Sequence, residues 1–198
     1  MKKPIFMTLA VFMLALFSGF TFAQGSPIDE GSMMAAGGFS FSNWSGDLYE
    51  DADNNSQTVI DIFPILSYFI LPGLAAGGEF AYSRISQSDW SYTAFGIGPQ
   101  VRYYFVLNRE QTEAKGSTYP YFSVNFLFGT AKFKSDSGES KYTYKTFGFG
   151  LGAVYMISDA VGVFGQGGFD IDSRKPEDGD SVSGNVLGFD VGFTYFIY

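Results

Sequence analysis

The 198 residues contain neither cysteine nor histidine. Without cysteine there is no disulfide, no thiolate metal site and no lipid-modified cysteine, so anchoring must come from the fold itself. Without histidine, dyads and triads that use imidazole as a base are excluded, and no catalytic, metal-ligating or cofactor-binding residue is expected. Basic residues are few: of 12, Lys2 and Lys3 lie within residues 1–23, which carry no acid, so ten remain against 20 acids. That excess of negative charge argues against a nucleic acid partner. Long apolar runs are scarce too. One extends from about Ile5 to Phe22, behind Lys2-Lys3 and ahead of Ala23-Gln-Gly-Ser26, which is the pattern of a secretory signal peptide. Cleavage is expected after Ala23, and no later segment approaches the ~20 residues of a membrane-spanning helix.

Rings and glycine are abundant, with Gly 25, Phe 23 and Tyr 13, and glycine stands well above the ~7 % of ordinary proteins. Such a composition suits strands whose faces alternate between large side chains and almost none. In the closing segment Leu187, Phe189, Val191, Phe193, Tyr195 and Ile197 alternate with Gly188, Asp190, Gly192, Thr194 and Phe196, and period two means a strand. Alternation bounded by turn signals predicts eight strands, near 32–44, 57–70, 74–87, 91–107, 119–134, 142–157, 160–172 and 183–198. Residues 1–23 read as the signal peptide, 24–31 as a short lead and 32–198 as one barrel domain. An even strand count lets the first strand pair antiparallel with the last, near Phe39 and Phe41, which removes the open edges of a sheet.

Leu71-Pro-Gly73 and Ser158-Asp159 read as tight turns at one end. Segments 45–56, 135–141 and 172–182 read as polar, acidic loops at the other, while 108–118 reads as a solvated excursion on the tight-turn side. Short turns on the periplasmic side and longer loops outside are the arrangement of bacterial outer-membrane barrels. Strand faces agree: Phe95, Ile97, Val101, Tyr103 and Phe105 oppose Ala94, Gly96, Gly98, Gln100, Arg102 and Tyr104, and Phe147, Phe149, Leu151 and Tyr155 oppose Thr146, Gly148, Gly150 and Gly152. A soluble barrel would turn its large apolar face inward. Here the polar face is also the small one, so the large groups are expected to meet lipid. Tyr49, Trp90, Tyr92, Tyr103, Tyr119, Tyr142, Tyr155 and Tyr195 lie near strand ends, where an interfacial girdle is expected. The fold class is therefore all-β, an eight-stranded antiparallel up-and-down transmembrane barrel after a signal peptide.

The chain resembles the small outer-membrane β-barrels of the OmpX and OmpA transmembrane-domain type, the "outer membrane protein β-barrel domain" group. The likeness rests on Pro64-Ile-Leu-Ser-Tyr-Phe-Ile70, Ala75-Ala-Gly-Gly78, Gly98-Pro-Gln-Val-Arg-Tyr-Tyr-Phe105, Tyr155-Met-Ile-Ser-Asp-Ala160 and Gly192-Phe-Thr-Tyr-Phe-Ile-Tyr198. It implies outer-membrane location, contact with membrane lipid and lipopolysaccharide, and recognition of Leu187–Tyr198 by the barrel-assembly machinery. The in-phase series ends at Ile197, one residue before Tyr198, a departure from the family's usual terminal aromatic.

The inward faces carry Asp61, Glu79, Arg102, Asp190 and, in weaker register, Asp170. Counting from the turns places Glu79 and Arg102 at similar depth, so a lumenal ion pair between them is expected, with Asn125 and Gln166 at that level and Asp190 within reach. Six residues thus form the candidate polar network: Asp61, Glu79, Arg102, Asn125, Gln166 and Asp190. The alternative is a set of solvated lumen residues around ordered water. Gly148-Phe-Gly-Leu-Gly152 resembles a nucleotide-binding loop only superficially, since it opens no helix. Asp51-Ala-Asp-Asn-Asn55 lacks the central glycine and final glutamate of a calcium loop. The expected function is a monomeric, non-enzymatic barrel with a structural or surface-interaction role and a lumen plugged by polar side chains. Passage or binding of small apolar molecules is the alternative, which a lumen lined by Phe and Leu would favour.

Overall fold

The computed structural model describes residues 26–44, 56–105, 114–177 and 179–198, apart from the side chains of Ser40 and residues 42–44. Eight strands, β1 (Met33–Trp44), β2 (Gln57–Leu71), β3 (Leu74–Gln87), β4 (Trp90–Tyr104), β5 (Thr118–Ser135), β6 (Gly138–Met156), β7 (Val161–Pro176) and β8 (Val182–Ile197), follow one another antiparallel. β8 returns to β1, and the sheet closes into a barrel.

Alternation dictates this arrangement. On β4 every even residue from Ala94 to Tyr104 is buried inward, and every odd one from Phe95 to Phe105 is exposed. On β8 Leu187 and Phe189 stand outside at 85 % and 73 % exposure, while Thr194 and Phe196 are buried. The exposed apolar side chains run over all eight strands, from Phe39 and Leu66 through Phe126 and Phe149 to Phe193. Water would not support so large an apolar surface, and lipid does.

One end, the base, carries the Pro72–Gly73 turn, residues 157–160, the segment 26–32 and residues 114–117. Gly73 takes φ +79, a left-handed conformation that suits glycine in so tight a turn. Pro27 and Ile28 fold under the base, where the Ile28 carbonyl accepts from Gly73 N–H at 2.8 Å. The 24–31 lead is thus tied to the barrel from residue 26 onward. At the opposite end, the rim, Ser135 pairs with Gly138 and Gln87 with Trp90, so Asp136-Ser137 and Ser88-Asp89 are two-residue turns.

The expected loop at 135–141 is therefore paired strand on either side of a two-residue turn, and β7 continues to Pro176, which shortens the 172–182 loop. Lys141 on β6 and Ser173 and Lys175 on β7 continue the outward alternation above the apolar stretch, and backbone pairing ignores the change from apolar to polar side chains. Residues 45–55 and 106–113, including Tyr49 and the Asp51–Asn55 stretch, lie outside the described residues.

The closing seam is shorter than expected. β1 pairs with β2 along its whole length, from Met33 with Tyr68 to Trp44 with Gln57. With β8 it pairs only from Met33 with Ile197 to Gly37 with Phe193. The pairing stops two residues before Phe39, although β8 pairs with β7 up to Val182. Tyr198 lies past the end of β8, packs against the base cluster and donates its hydroxyl to the Asp159 carbonyl at 2.9 Å.

Candidate functional site in the barrel interior

Inward side chains near the base are large, contrary to the expectation of a lumen lined by small and polar groups. Phe69 from β2, Tyr104 from β4, Tyr121 from β5, Phe164 from β7 and Phe196 from β8 are all nearly inaccessible, with Met34 from β1 beside them. The Tyr104 ring lies 5.6 Å from Phe69, 5.2 Å from Tyr121 and 6.5 Å from Phe196, centroid to centroid. Ile28, Val154 and Met156 belong to the same cluster. Each fully buried aromatic of this kind contributes about 1.5–3 kcal/mol. Rings fit here because neighbouring strands supply glycine: a Cβ at Gly152 would strike the Tyr121 ring, and one at Gly192 would strike Phe164.

Arg102 lies at the upper edge of this layer at 1 % exposure. Its guanidinium carbon sits 4.9 Å from the Tyr121 ring centre and 5.7 Å from that of Phe164, a cation–π arrangement. Nε and Nη1 have no hydrogen-bond partner. The expected ion pair with Glu79 is not formed: the ion pairs among the described residues are Lys132–Glu139, Lys134–Glu139 and Arg174–Asp172. Glu79 Oε2 instead accepts from Gln100 Nε2 at 3.0 Å and Asn125 Nδ2 at 3.1 Å.

The reason is register. β4 ends at Tyr104 and not near 107, so Arg102 pairs with Ala75, four residues nearer the base than Glu79, which pairs with Gly98. At ~3.3 Å per residue that step is about 13 Å.

Above the aromatic layer lies a cavity of about 200 Å³ lined by Glu79, Gln100, Arg102, Asn125, Gln166, Asp170 and Asp190 among others. Five of the six candidate residues thus border one space. Gln166 accepts from the Ser123 hydroxyl at 3.2 Å, and Asp190 pairs with Gln166 across β7 and β8. Asp61 is the exception: it pairs with Ser40 and Ser83, four residues rimward of Ile65 in the Glu79 row, and does not border the cavity.

Gln100, Ser123 and Asp170 belong with the five. Gln100 was legible, because it shares the inward parity of Arg102. Ser123 is a short side chain whose partner only the register reveals. The glycines of Gly148-Phe-Gly-Leu-Gly152 acquire a role here: a Cβ at Gly148 would collide with Asn125 and Asp170, and one at Gly150 would crowd Ser123 and Gln166. They leave space for the polar side chains of the neighbouring strands.

The proposed aromatic girdle divides. Tyr103 and Tyr155 face outward at the base, beside Tyr68 and Phe105, and Tyr195 shares their outward parity. Trp90, Tyr92, Tyr119 and Tyr142 have inward parity. Tyr119 is buried in the base cluster, Trp90 stacks on Phe133 with centroids 5.8 Å apart, and Tyr92 faces Arg174. Nearness to a strand end sets height, whereas parity sets the face, so four of these rings serve the interior.

A model of the outer membrane protein beta-barrel domain matches residues 10–195. The chain belongs to this family of outer-membrane β-barrels. No curated protein matches the chain. Among solved structures it is similar to Neisserial surface protein A, at 15 % identity and a TM-score of 0.46, over 83 % of this chain and 94 % of that one. The outer-membrane barrel thus places its apolar exterior in lipid, and its interior holds two unlike layers, aromatic at the base and polar above.

Proposed function

We propose that this outer-membrane barrel is non-enzymatic and sealed, a rigid wall element whose rim serves structural or surface-interaction roles. One observation carries the reading: rings from four strands, with Tyr104 at their centre, fill the cross-section at the base, and Arg102 caps them. An eight-stranded barrel has an interior that side chains can fill, and a filled cross-section leaves no aqueous path. In this reading the base faces the periplasm, and Leu187–Tyr198 is the segment offered to the assembly machinery.

Planar-bilayer recording tests the seal. The parent protein is expected to be electrically silent, and Tyr104→Ala/Tyr121→Ala/Phe164→Ala to conduct. Steady ion conduction by the parent would overturn the proposal.

A second reading, entry of small apolar molecules through the wall, is favoured by the short seam. Val186, Gly188 and Asp190 border the polar cavity from the part of β8 that extends beyond its pairing with β1. A disulfide between Phe41→Cys and Phe189→Cys would close this gap, and uptake of an apolar dye into loaded vesicles should then fall if the wall is the route.

A further inference from the structure

Six of the ten basic residues beyond residue 23 lie on one outward face near the rim: Arg84 on β3, Lys132 and Lys134 on β5, Lys141 and Lys145 on β6, and Lys175 on β7. Their parity is that of the lipid-facing residues below them. Backbone pairing joins Arg84 to Thr93, Thr93 to Lys132 and Lys132 to Lys141 in a single row. The row beneath runs through Tyr82, Phe95, Thr130, Thr143 and Lys175. All of these side chains except Lys145 and Tyr82 border a groove of about 830 Å³ on the outside of the wall.

The change from apolar to basic falls within four residues of register on adjacent strands, first at Lys145, then at Lys175, then at Lys132 and Arg84. β5 reads Phe126, Phe128, Thr130, Lys132 outward toward the rim; β6 reads Phe149, Phe147, Lys145, Thr143, Lys141; β7 reads Phe169, Ile171, Ser173, Lys175. On β8 the corresponding outward residues are Asn185 and Ser183, and on β2 Thr58, all uncharged. The basic patch therefore covers one side of the wall, in a protein whose overall charge is strongly negative. Acids stand at its edge: Glu177 borders the groove, Glu139 pairs with Lys132 and Lys134, and Asp89 and Asp136 lie beside Arg84 and Lys134 at the rim. Long cationic side chains at the top of an apolar wall place their heads at headgroup level, where phosphate is the group that matches them.

We propose that the outward face of β3–β7 near the rim is a binding site for a phosphorylated glycolipid of the surrounding leaflet, with Arg84, Lys132, Lys141 and Lys175 holding phosphate. Thr93, Thr130 and Thr143 offer hydroxyls to the sugar or phosphate, and Phe95, Phe128 and Phe147 receive the acyl chains. The site depends on outer-membrane location and not on a sealed lumen, so loss of lipid binding and appearance of conductance are separate outcomes.

The test is retention by the full-length protein in mild detergent, counted by native mass spectrometry. The probes are bisphosphorylated lipid A, the same lipid without phosphates, and heparin as a soluble polyanion. Parent protein is expected to retain lipid A. Stripping the phosphates should weaken retention roughly tenfold, and so should Lys132→Gln/Lys141→Gln/Lys175→Gln, whereas Lys115→Gln at the base should change nothing. Heat-shifted mobility on a gel reports folding of the variants, and the phosphate-free lipid tests the proposal on the parent alone. Equal retention of the two lipids, unchanged retention by the folded triple variant, or displacement of lipid A by heparin would each overturn it.

Discussion

The base and the rim of the barrel are built from the same eight strands with the same alternation, yet they hold together differently. At the base, inward rings from several strands interlock over glycines, and the segments 26–32 and 114–117 fold beneath them. At the rim the strands run on past the apolar belt, β1 separates from β8, and the inward positions are half exposed. The base is a packed hydrophobic core in miniature, while the rim is held chiefly by backbone pairing. Stability and surface chemistry can therefore be assigned to opposite ends of one sheet.

The sharpest way to break that contrast is to cut a ring at each end. Phe69→Ala or Phe196→Ala at the base should cost about 3–5 kcal/mol in denaturant unfolding, since each opens a cavity that rigid strands cannot close. Trp90→Ala at the rim removes a half-exposed ring stacked on Phe133 and should cost less than about 1.5 kcal/mol. Equal losses would mean that the base is not the core.

Smaller effects distinguish the glycines. Gly150→Leu should cost roughly 1–3 kcal/mol, because its side chain must displace Ser123 and Gln166. Gly188→Ala adds a methyl where no atom lies within 4 Å, and its unfolding midpoint should stay within about 0.5 kcal/mol of the parent.

Arg102→Met sharpens the boundary between the layers. With no carboxylate paired to Arg102, replacing it by an apolar side chain of similar length should change stability by less than about 1.5 kcal/mol, in either direction. A loss of roughly 3–5 kcal/mol on heating or in denaturant would reinstate a buried ion pair with Glu79.

Much of this was legible in the chain. Strict alternation in Phe95–Phe105 and Leu187–Ile197 shows which residues face lipid, and turn residues such as Pro72-Gly73 mark strand ends to within a few positions. The charged lumen residues were legible too, since parity alone places Glu79, Arg102 and Asp190 inside. Two kinds of error remained. Depth along the barrel depends on where each strand ends, and the three-residue difference between Tyr104 and 107 turned an expected Glu79–Arg102 pair into two separate arrangements. Polar strand continuation at Gly138–Lys141 and Ser173–Pro176 resembles loop composition, because the backbone pairing that keeps it extended leaves no mark on hydropathy.

Period-two patterning by itself determined that this protein is an eight-stranded barrel with an apolar exterior, because a strand must send alternate side chains to opposite faces and only lipid tolerates so many rings on the outer one. The tertiary structure decided what meets what. Inter-strand register set Glu79 between Gln100 and Asn125, stacked Arg102 on Tyr121, and gathered lysines from three strands into one outward patch, since each such contact depends on the relative shift of neighbouring strands and no single strand encodes it.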